Sequence, residues 1–190
     1  KIIKARFETG MPFIMFEANI SKGSVDVYRE ARILASNLCS EITLPSTEDE
    51  SFVCCLSSMN LLHYDDWKDT DAVEILVWLL DAVMEDFIKV TKENIFMRRA
   101  NLFARRHRAL GVGAFGWHSY LMKNMIPFES MKAKIRSAEI FKTINHKAQA
   151  MSEKLADDLG VPEVLKGKSR RHTTMTAIAP TKSSSFIIGQ

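Results

Sequence analysis

The sequence predicts an α/β layer architecture in which short buried strands alternate with long helices. Three stretches carry that expectation. Phe52-Val-Cys-Cys-Leu56 is apolar at consecutive positions, as a strand covered on both faces is, and lies in a stretch from Ser51 to Asn60 with no helical period. Between Asp69-Thr-Asp71 and about Lys92 the chain is long and apolar almost all round, as a helix packed among neighbours is. From Glu129 to Leu159 the positions Phe141, Ile144, Ala148, Met151, Leu155 and Leu159 step by three and four, an amphipathic stripe closed by Gly160 and Pro162.

The remaining elements follow in order. Residues 1–8 read as the end of a short helix, Thr9-Gly10 as a turn, and Met11-Pro-Phe-Ile-Met-Phe16 as a short buried strand with Pro at its edge. Ser21 to Arg32 is helical or irregular, and Ala35 to Leu44 has no helical period. Pro45-Ser-Thr-Glu-Asp-Glu50 is a polar turn before the first buried strand. Asp69 and Asp71 offer caps and acidic charge to the long helix. Arg105-Arg-His-Arg-Ala-Leu-Gly-Val-Gly113 breaks the helical region, and a helix resumes near Phe115 and ends by Pro127. Thr173 to Ala179 alternates as a β-prone strand, followed by the small-residue loop Pro180-Thr-Lys-Ser-Ser-Ser185. No repeat or linker divides the chain, so residues 1–190 are expected to be one fragment of one domain. Both ends read as cuts through a larger protein, since the chain starts at Lys1 without Met and stops in the apolar Phe186-Ile-Ile-Gly-Gln190.

Composition narrows the function classes. With 190 residues, 46% hydrophobic and 26% charged, the chain can form one ordinary core and is too polar for a membrane protein. The run Ile75 to Met84 is broken by Asp81 and falls well short of the roughly 20 residues a bilayer span needs. Nor is Lys1-Ile-Ile-Lys-Ala-Arg6 a signal peptide. Lys plus Arg total 26 against 23 for Asp plus Glu, without a basic block, so no nucleic-acid partner is indicated. Three cysteines with no repeating frame suit a reducing compartment, and the cytoplasm is the expected location.

Two places could carry chemistry. In Asn37-Leu-Cys-Ser-Glu41 an amide, a thiol and a carboxylate alternate with Leu38 and Ser40. On an extended loop alternate side chains share one side, so Asn37, Cys39 and Glu41 could converge on a small molecule, with the thiol as reactive group and the carboxylate as base. The spacing equally suits a buried Cys beside a cap or turn, and by itself it favours that simpler assignment. The second place is Thr174-Met-Thr-Ala-Ile-Ala179 running into Pro180, Thr181, Lys182, Ser183, Ser184 and Ser185. Small residues, successive amides and hydroxyls after a strand make a phosphate cradle, to which Lys182 adds charge. An ordinary Ser-rich turn has the same composition, and the P-loop spacing is absent.

Other candidates are weaker. Cys54 and Cys55 are neighbours on a strand and face opposite ways, so at most one shares a site with Cys39. No metal site is expected, because there is no Cys-x-x-Cys and His63 is the nearest imidazole. His107, His118, His146 and His172 form no spaced set and read as surface or satisfied core residues. Arg105, Arg106 and Arg108 could hold an anion, but beside Gly111 and Gly113 they read as a solvated helix end with neighbouring ion pairs.

In this order, Asn37-Leu-Cys-Ser-Glu41, Cys54-Cys-Leu-Ser-Ser-Met-Asn60, Arg108-Ala-Leu-Gly-Val-Gly113 and Ala179-Pro-Thr-Lys-Ser-Ser-Ser185 closely resemble the catalytic large (α) subunit of class I ribonucleotide reductase. The resemblance covers nearly the whole chain and only the middle of the family's longer subunit. It implies part of a ten-stranded α/β barrel with a central finger loop. It further implies that Cys39 becomes a transient thiyl radical that takes the 3′ hydrogen of the ribose, that Glu41 is the general base at the 3′-hydroxyl, and that Asn37 hydrogen-bonds the substrate as an acid/base partner. A radical needs shelter and alignment on one C–H bond, which a rigid barrel interior supplies. Cys54 matches the second of two reducing cysteines, and Cys55 falls where the family usually has another residue and takes no role. Residues 37–41 and Pro180 to Ser184 are the implied substrate contacts, the latter holding phosphates mainly through backbone amides.

The resemblance also implies what works with this segment in making DNA precursors. The substrate is a ribonucleoside diphosphate, no cofactor is bound directly here, a metal-containing small (β) subunit supplies the radical, and thioredoxin or glutaredoxin is the external reductant. The first reducing cysteine, the specificity loops, the ATP-binding allosteric module and the tyrosine pair with its cysteine tail have no counterpart within residues 1–190, so the isolated segment is expected to be inactive. Three alternatives remain open at this level: a cobalamin-dependent ribonucleotide reductase, a non-catalytic assembly module that keeps the barrel surface, and a thiol oxidoreductase using Cys54 and Cys55. Adjacent cysteines strain a disulfide, which disfavours the last.

Overall fold

Parallel strands need a crossover between them, and helices supply it here; the strand expected to be covered on both faces is instead half-buried along its length. In the computed structural model, which describes residues Lys1–Gly189, strand β1 (Cys55–Asn60) pairs in parallel with β2 (Leu110–Phe115), in a register from Cys55 opposite Leu110 to Asn60 opposite Phe115. The helices are, in chain order, α1 (Ile2–Thr9), α2 (Glu17–Gly23), α3 (Tyr64–Trp67), α4 (Ala72–Thr91), α5 (Arg98–His107), α6 (Trp117–Lys123), α7 (Met131–Leu159) and α8 (Lys182–Ile188). A third extended segment adds to β2 in parallel, bridging Val112 to Thr176. Its ties are the bonds from the Leu110 N–H to the Thr174 oxygen (3.0 Å), from the Val112 N–H to the Met175 oxygen (2.7 Å), and from the Ala177 N–H to the Val112 oxygen (3.3 Å).

The chain divides into two compact units, Lys1–Ser46 and Thr47–Gln190. In the first, α1 ends at Gly10, whose φ of 76° is the left-handed conformation a helix stop requires. The expected strand at Met11–Phe16 does not form: after a cis Met11–Pro12 bond the segment is irregular, with Met11, Phe13, Ile14 and Phe16 all exposed. A strand exists only with a partner for its backbone groups, and none pairs with this one among the described residues. Within Ser21–Arg32, α2 begins earlier than expected, at Glu17, and a single 3₁₀ turn follows at Asp26–Tyr28.

In the second unit the helices cover one sheet face. Val53, Cys55 and Met59 before and along β1, and Leu110, Val112 and Ala114 of β2, point into a core with Val73, Val77, Leu80 and Met84 of α4 and Ile140, Ile144 and Ala148 of α7. Asn101 of α5 donates to the Ile88 carbonyl (2.7 Å) and to Thr91 Oγ1 (2.8 Å), which fixes α5 to the end of α4. Tyr64, Trp67 and Tyr120 meet edge-on, and Trp67 Nε1 donates to the Asn60 carbonyl at 2.9 Å. α7 begins at Ser130, whose hydroxyl accepts from the Ala133 N–H, and ends at Gly160 as its stripe predicts. Its last stripe residue, Leu159, is nevertheless exposed.

Three expectations need correction. α4 is not covered all round: Ile75, Trp78, Leu79 and Val83 are about half exposed, because only its Val73–Val77–Leu80–Met84 stripe meets the core. The stretch Arg105–Gly113, expected as a break, holds the end of α5 and most of β2. Two glycines in a six-residue strand conceal it from propensity. The expected loop Pro180–Ser185 is instead a short lead into α8.

Those glycines have a steric reason. A Cβ on Gly111 would lie 2.3 Å from Leu56 Cδ2 and 2.8 Å from Ala177 Cβ, and one on Gly113 would lie 2.3 Å from the Ala177 carbonyl oxygen. Ala177 thus lies against the sheet face opposite the helices. Gly113→Ala, which forces a backbone carbonyl aside, is expected to cost about 1–3 kcal/mol of stability, read as a fall in the denaturant midpoint. Gly23→Ala, whose Cβ would meet nothing within 4 Å, is the matched control.

Candidate active site

Asn37–Ile42 is a closed turn rather than an extended loop. The Asn37 N–H donates to the Ile42 carbonyl (3.0 Å), the Ile42 N–H donates back to Asn37 Oδ1 (3.0 Å), and the Ser40 N–H donates to the Asn37 carbonyl (3.1 Å). Ser40 sits at φ 67°, in the left-handed region, where a non-glycine residue costs roughly 1–3 kcal/mol and is held only by its surroundings. Strand-like alternation therefore does not describe residues 37–41. The turn places Leu38 and Cys39 at its exposed tip and turns Glu41 inward, half-buried, with Oε2 enclosed and without a hydrogen-bond partner. With its carbonyl oxygen engaged, Asn37 has its amide donors to offer a ligand.

In the second unit, β alternation separates the two adjacent cysteines. Cys55 packs against the core, where burial raises its thiol pKa, with Arg108 opposing and Asp81 reinforcing that shift. Cys54 precedes the strand on the opposite side, half-buried, its Sγ 3.8 Å from the Cys55 carbonyl oxygen. That side also carries Leu56, Ser58, Gly111 and Gly113, with Ala177 lying over the glycines. So Cys54 and the start of the segment leading to Pro180–Ser184 share one sheet face. Thr181 is the first residue outside α8; Lys182, Ser183 and Ser184 form its first turn, exposed, and Lys182 Nζ stands 6.0 Å from the Phe186 ring centre. None of the three cysteines is in a disulfide.

Sequence reasoning missed a buried carboxylate with four hydrogen bonds. Asp81 on α4 is buried, and its carboxylate accepts from Arg108 Nε (2.8 Å), from Arg171 Nε (3.1 Å to each oxygen) and from His172 Nε2 (3.0 Å). Arg108 also donates to the Asp81 carbonyl (3.1 Å) and to Glu85 (2.9 Å), while Arg171 donates to the carbonyls of Leu159 (3.0 Å) and Gly160 (2.7 Å) at the end of α7. Arg108, read from sequence as part of a solvated helix end, is 5% exposed and takes the left-handed conformation (φ 44°) that ends α5. Its neighbour Arg106 pairs with Glu50 (2.7 Å) and Glu163 (3.1 Å). The available signal was Asp81 itself, the one charge inside an apolar run, since a buried carboxylate requires partners.

The hydrogen bonds assign the protons of His172. Asp81 can only accept, so His172 Nε2 carries the hydrogen. Ser152 Oγ accepts from the Arg171 and His172 N–H groups (3.1 and 3.2 Å), so its own hydrogen goes to His172 Nδ1 at 2.9 Å. The imidazole is neutral. Burial agrees, holding the His172 pKa below its ordinary 6.5 against the pull of the Asp81 hydrogen bond. For Asp81, burial favours protonation, but the His172 hydrogen bond and the Arg108 and Arg171 charges outweigh it and lower its pKa from 3.8 to about 2.

Comparison with known proteins places the chain. The family model for the ribonucleotide reductase barrel domain matches residues 1–169. The chain belongs to the ribonucleotide reductase barrel-domain family. Its parallel β–α–β–α–β succession is a portion of that α/β barrel. It is 53% identical to the class Id ribonucleotide reductase alpha subunit of Actinobacillus ureae, with a TM-score of 0.95 over 99% of this chain and 36% of that one. It is 36% identical to the ribonucleoside-diphosphate reductase large subunit of Invertebrate iridescent virus 3, over 100% of this chain and 30% of that protein. The corresponding subunit of Invertebrate iridescent virus 6 is 38% identical over 80% of this chain and 16% of its own length. The chain thus spans about a third or less of the relatives it matches. Residues 170–190 lie beyond the family model, yet the match to the Invertebrate iridescent virus 3 subunit, over 100% of this chain, includes them. Among the described residues no group of three or more metal-ligating side chains gathers, and no helix is long and apolar enough to cross a membrane.

Both folded-state pKa values are depressed, so on acidification the unfolded chain binds each proton first and stability falls as the pH is lowered. Stability is expected to be full above 6.5, to fall as the pH drops through the His172 window, and to fall again between about 3.8 and 2 as Asp81 protonates. Asp81→Asn should cost about 3–5 kcal/mol at neutral pH, because it leaves two buried guanidiniums without their carboxylate. It should also remove the lower step. Denaturant midpoints across the pH range check both.

Proposed function

We propose that this segment is the catalytic-barrel portion of a ribonucleoside-diphosphate reductase large subunit, which replaces the ribose 2′-hydroxyl by hydrogen through a thiyl radical on Cys39. The observation that supports the reading most is the Asn37–Ile42 turn, with Cys39 at its tip and a neighbouring carboxylate, Glu41, that keeps one oxygen unpaired. The names of the viral relatives, large subunits of ribonucleoside-diphosphate reductases, favour a diphosphate substrate, and these names together with that of the class Id alpha subunit favour a separate radical-generating small subunit over a cobalamin enzyme.

The chemistry assigned to the residues balances. The Cys39 sulfur radical takes the 3′ hydrogen and becomes a thiol, leaving the unpaired electron on C3′. Glu41 accepts the 3′-hydroxyl proton, and the 2′-oxygen departs as water. Cys54 and a second cysteine elsewhere in the large chain are oxidised to a disulfide, supplying two protons and two electrons: one proton leaves with the 2′-oxygen as water, the other with one electron forms the new C2′–H bond, and the second electron with the proton returned by Glu41 restores the 3′-hydroxyl on the C3′ radical. Cys39 then returns its hydrogen to C3′ and recovers the radical. Asn37, Leu38 and Ser40 complete the ribose contacts, with the Asn37 amide as donor. Pro180, Thr181, Lys182, Ser183 and Ser184 hold the phosphates, a role suited to small exposed residues arriving on the Cys54 face of the sheet. Thioredoxin or glutaredoxin reduces the disulfide, and the remaining parts of the large chain complete the barrel. A reducing cytoplasm suits three cysteines outside any disulfide.

The test uses the full large chain with its small subunit and a ribonucleoside diphosphate. Cys39→Ser is expected to lower deoxynucleotide formation at least about 1000-fold, as loss of a group acting in the chemical step does. Cys54→Ser should stop multiple turnover. Deoxynucleotide formation by the Cys39→Ser chain at the wild-type rate would refute the assignment.

A further inference from the structure

The phosphate segment is tied down from behind. Leading into it, backbone or hydroxyl bonds fix almost every residue: the Arg171 and His172 N–H groups to Ser152 Oγ, the Thr173 N–H to the His107 carbonyl (3.2 Å), and Thr174 Oγ1 to the Leu110 carbonyl (3.0 Å). Thr174, Met175 and Ala177 then join β2, and Ala177 lies over Gly111 and Gly113. Residues 178–181 carry no such ties to the sheet. The place of Pro180–Ser184 is therefore set upstream, at the point where the chain is clamped to α7. Beside the Arg171 guanidinium on the Leu159 and Gly160 carbonyls, one hydroxyl contributes three bonds to that clamp: Ser152, fully buried, uses both acceptor sites and its donor on Arg171 and His172.

We infer that Ser152 and His172 are positioning residues for phosphate binding, acting through the 171–177 segment to hold Pro180–Ser184 where the substrate's diphosphate meets its backbone amides. The inference rests on the proposed function. It concerns residues far along the chain from the reacting cysteines and assigns them an effect on substrate binding rather than on the chemical step. A displacement of about 1 Å in such a segment is enough to weaken a set of amide contacts, since those bonds are short and directional.

The experiment measures equilibrium binding of a ribonucleoside diphosphate, and KM and kcat, for the full large chain assembled with its small subunit. Ser152→Ala is expected to raise both Kd and KM about tenfold, with kcat within about threefold of wild type, and Ser152→Thr, which restores a hydroxyl, to recover most of the loss. Thr174→Val, a near-isosteric change that removes only the Leu110 bond, is expected to raise KM about threefold, and decides the matter if Ser152→Ala does not fold. Folded variants with Kd and KM unchanged, or with kcat reduced and KM unchanged, overturn the inference. A wild-type chain that binds the diphosphate yet forms no deoxynucleotide would refute the proposed function while leaving the binding comparison intact.

Discussion

A single buried carboxylate organises the larger unit. Asp81 sits in the apolar face of α4, where an unpaired charge would cost several kcal/mol or neutralise itself. It stays ionised because two guanidiniums and an imidazole donate to it from two separate places: the end of α5 and two adjacent residues of the segment after α7. The charges close without His172. Asp81 and Glu85 balance Arg108 and Arg171, so a proton on the imidazole would add an uncompensated buried positive charge, and the neutral form assigned by Ser152 follows from electrostatics as well. Both the geometry and the low His172 pKa express the same fact.

That arrangement connects packing to function. Hydrophobic burial alone would allow α4, α7 and the sheet to slide relative to one another, because apolar contact is non-directional. Fixed donors are not so tolerant. The Asp81 group sets α4 against the α5–β2 junction through Arg108, and against the chain leaving α7 through Arg171 and His172. One sheet face is then filled by the core. The other keeps Cys54, Ser58 and the two glycines. Adjacent cysteines thereby have unlike surroundings: Cys55 is a core residue beside Arg108 and Asp81, and Cys54 faces the side on which the phosphate segment arrives.

Much of this was legible in the sequence, for reasons that differ by element. The α7 stripe and its Gly160 stop could be read directly, because steps of three and four sustained along a 29-residue helix leave little room for another assignment. β1 was visible as a stretch without helical period, although the apolar run before it overlaps only Cys55 and Leu56, and its partner β2 was not, because Gly111 and Gly113 remove the side chains that signal a strand in order to admit Ala177 and, at Gly111, Leu56. The Met11–Phe16 stretch had strand composition without a strand partner, a difference that composition does not encode. Around Cys39 the residue types were evident, while the turn that shapes them depends on Asn37 Oδ1 and on a left-handed Ser40. Asp81 was seen only as an interruption of a hydrophobic run. Its partners lie 27, 90 and 91 residues away in sequence, beyond the reach of any local pattern.

The most direct test of this account is the protonation state of His172, read by ¹⁵N NMR of histidine-labelled protein near neutral pH, with His172→Gln to assign the signal. The structure predicts a neutral ring with hydrogen on Nε2 and a bare Nδ1. An imidazolium at that pH, or hydrogen on Nδ1, would contradict the Asp81–His172–Ser152 arrangement on which the positioning of the phosphate segment depends.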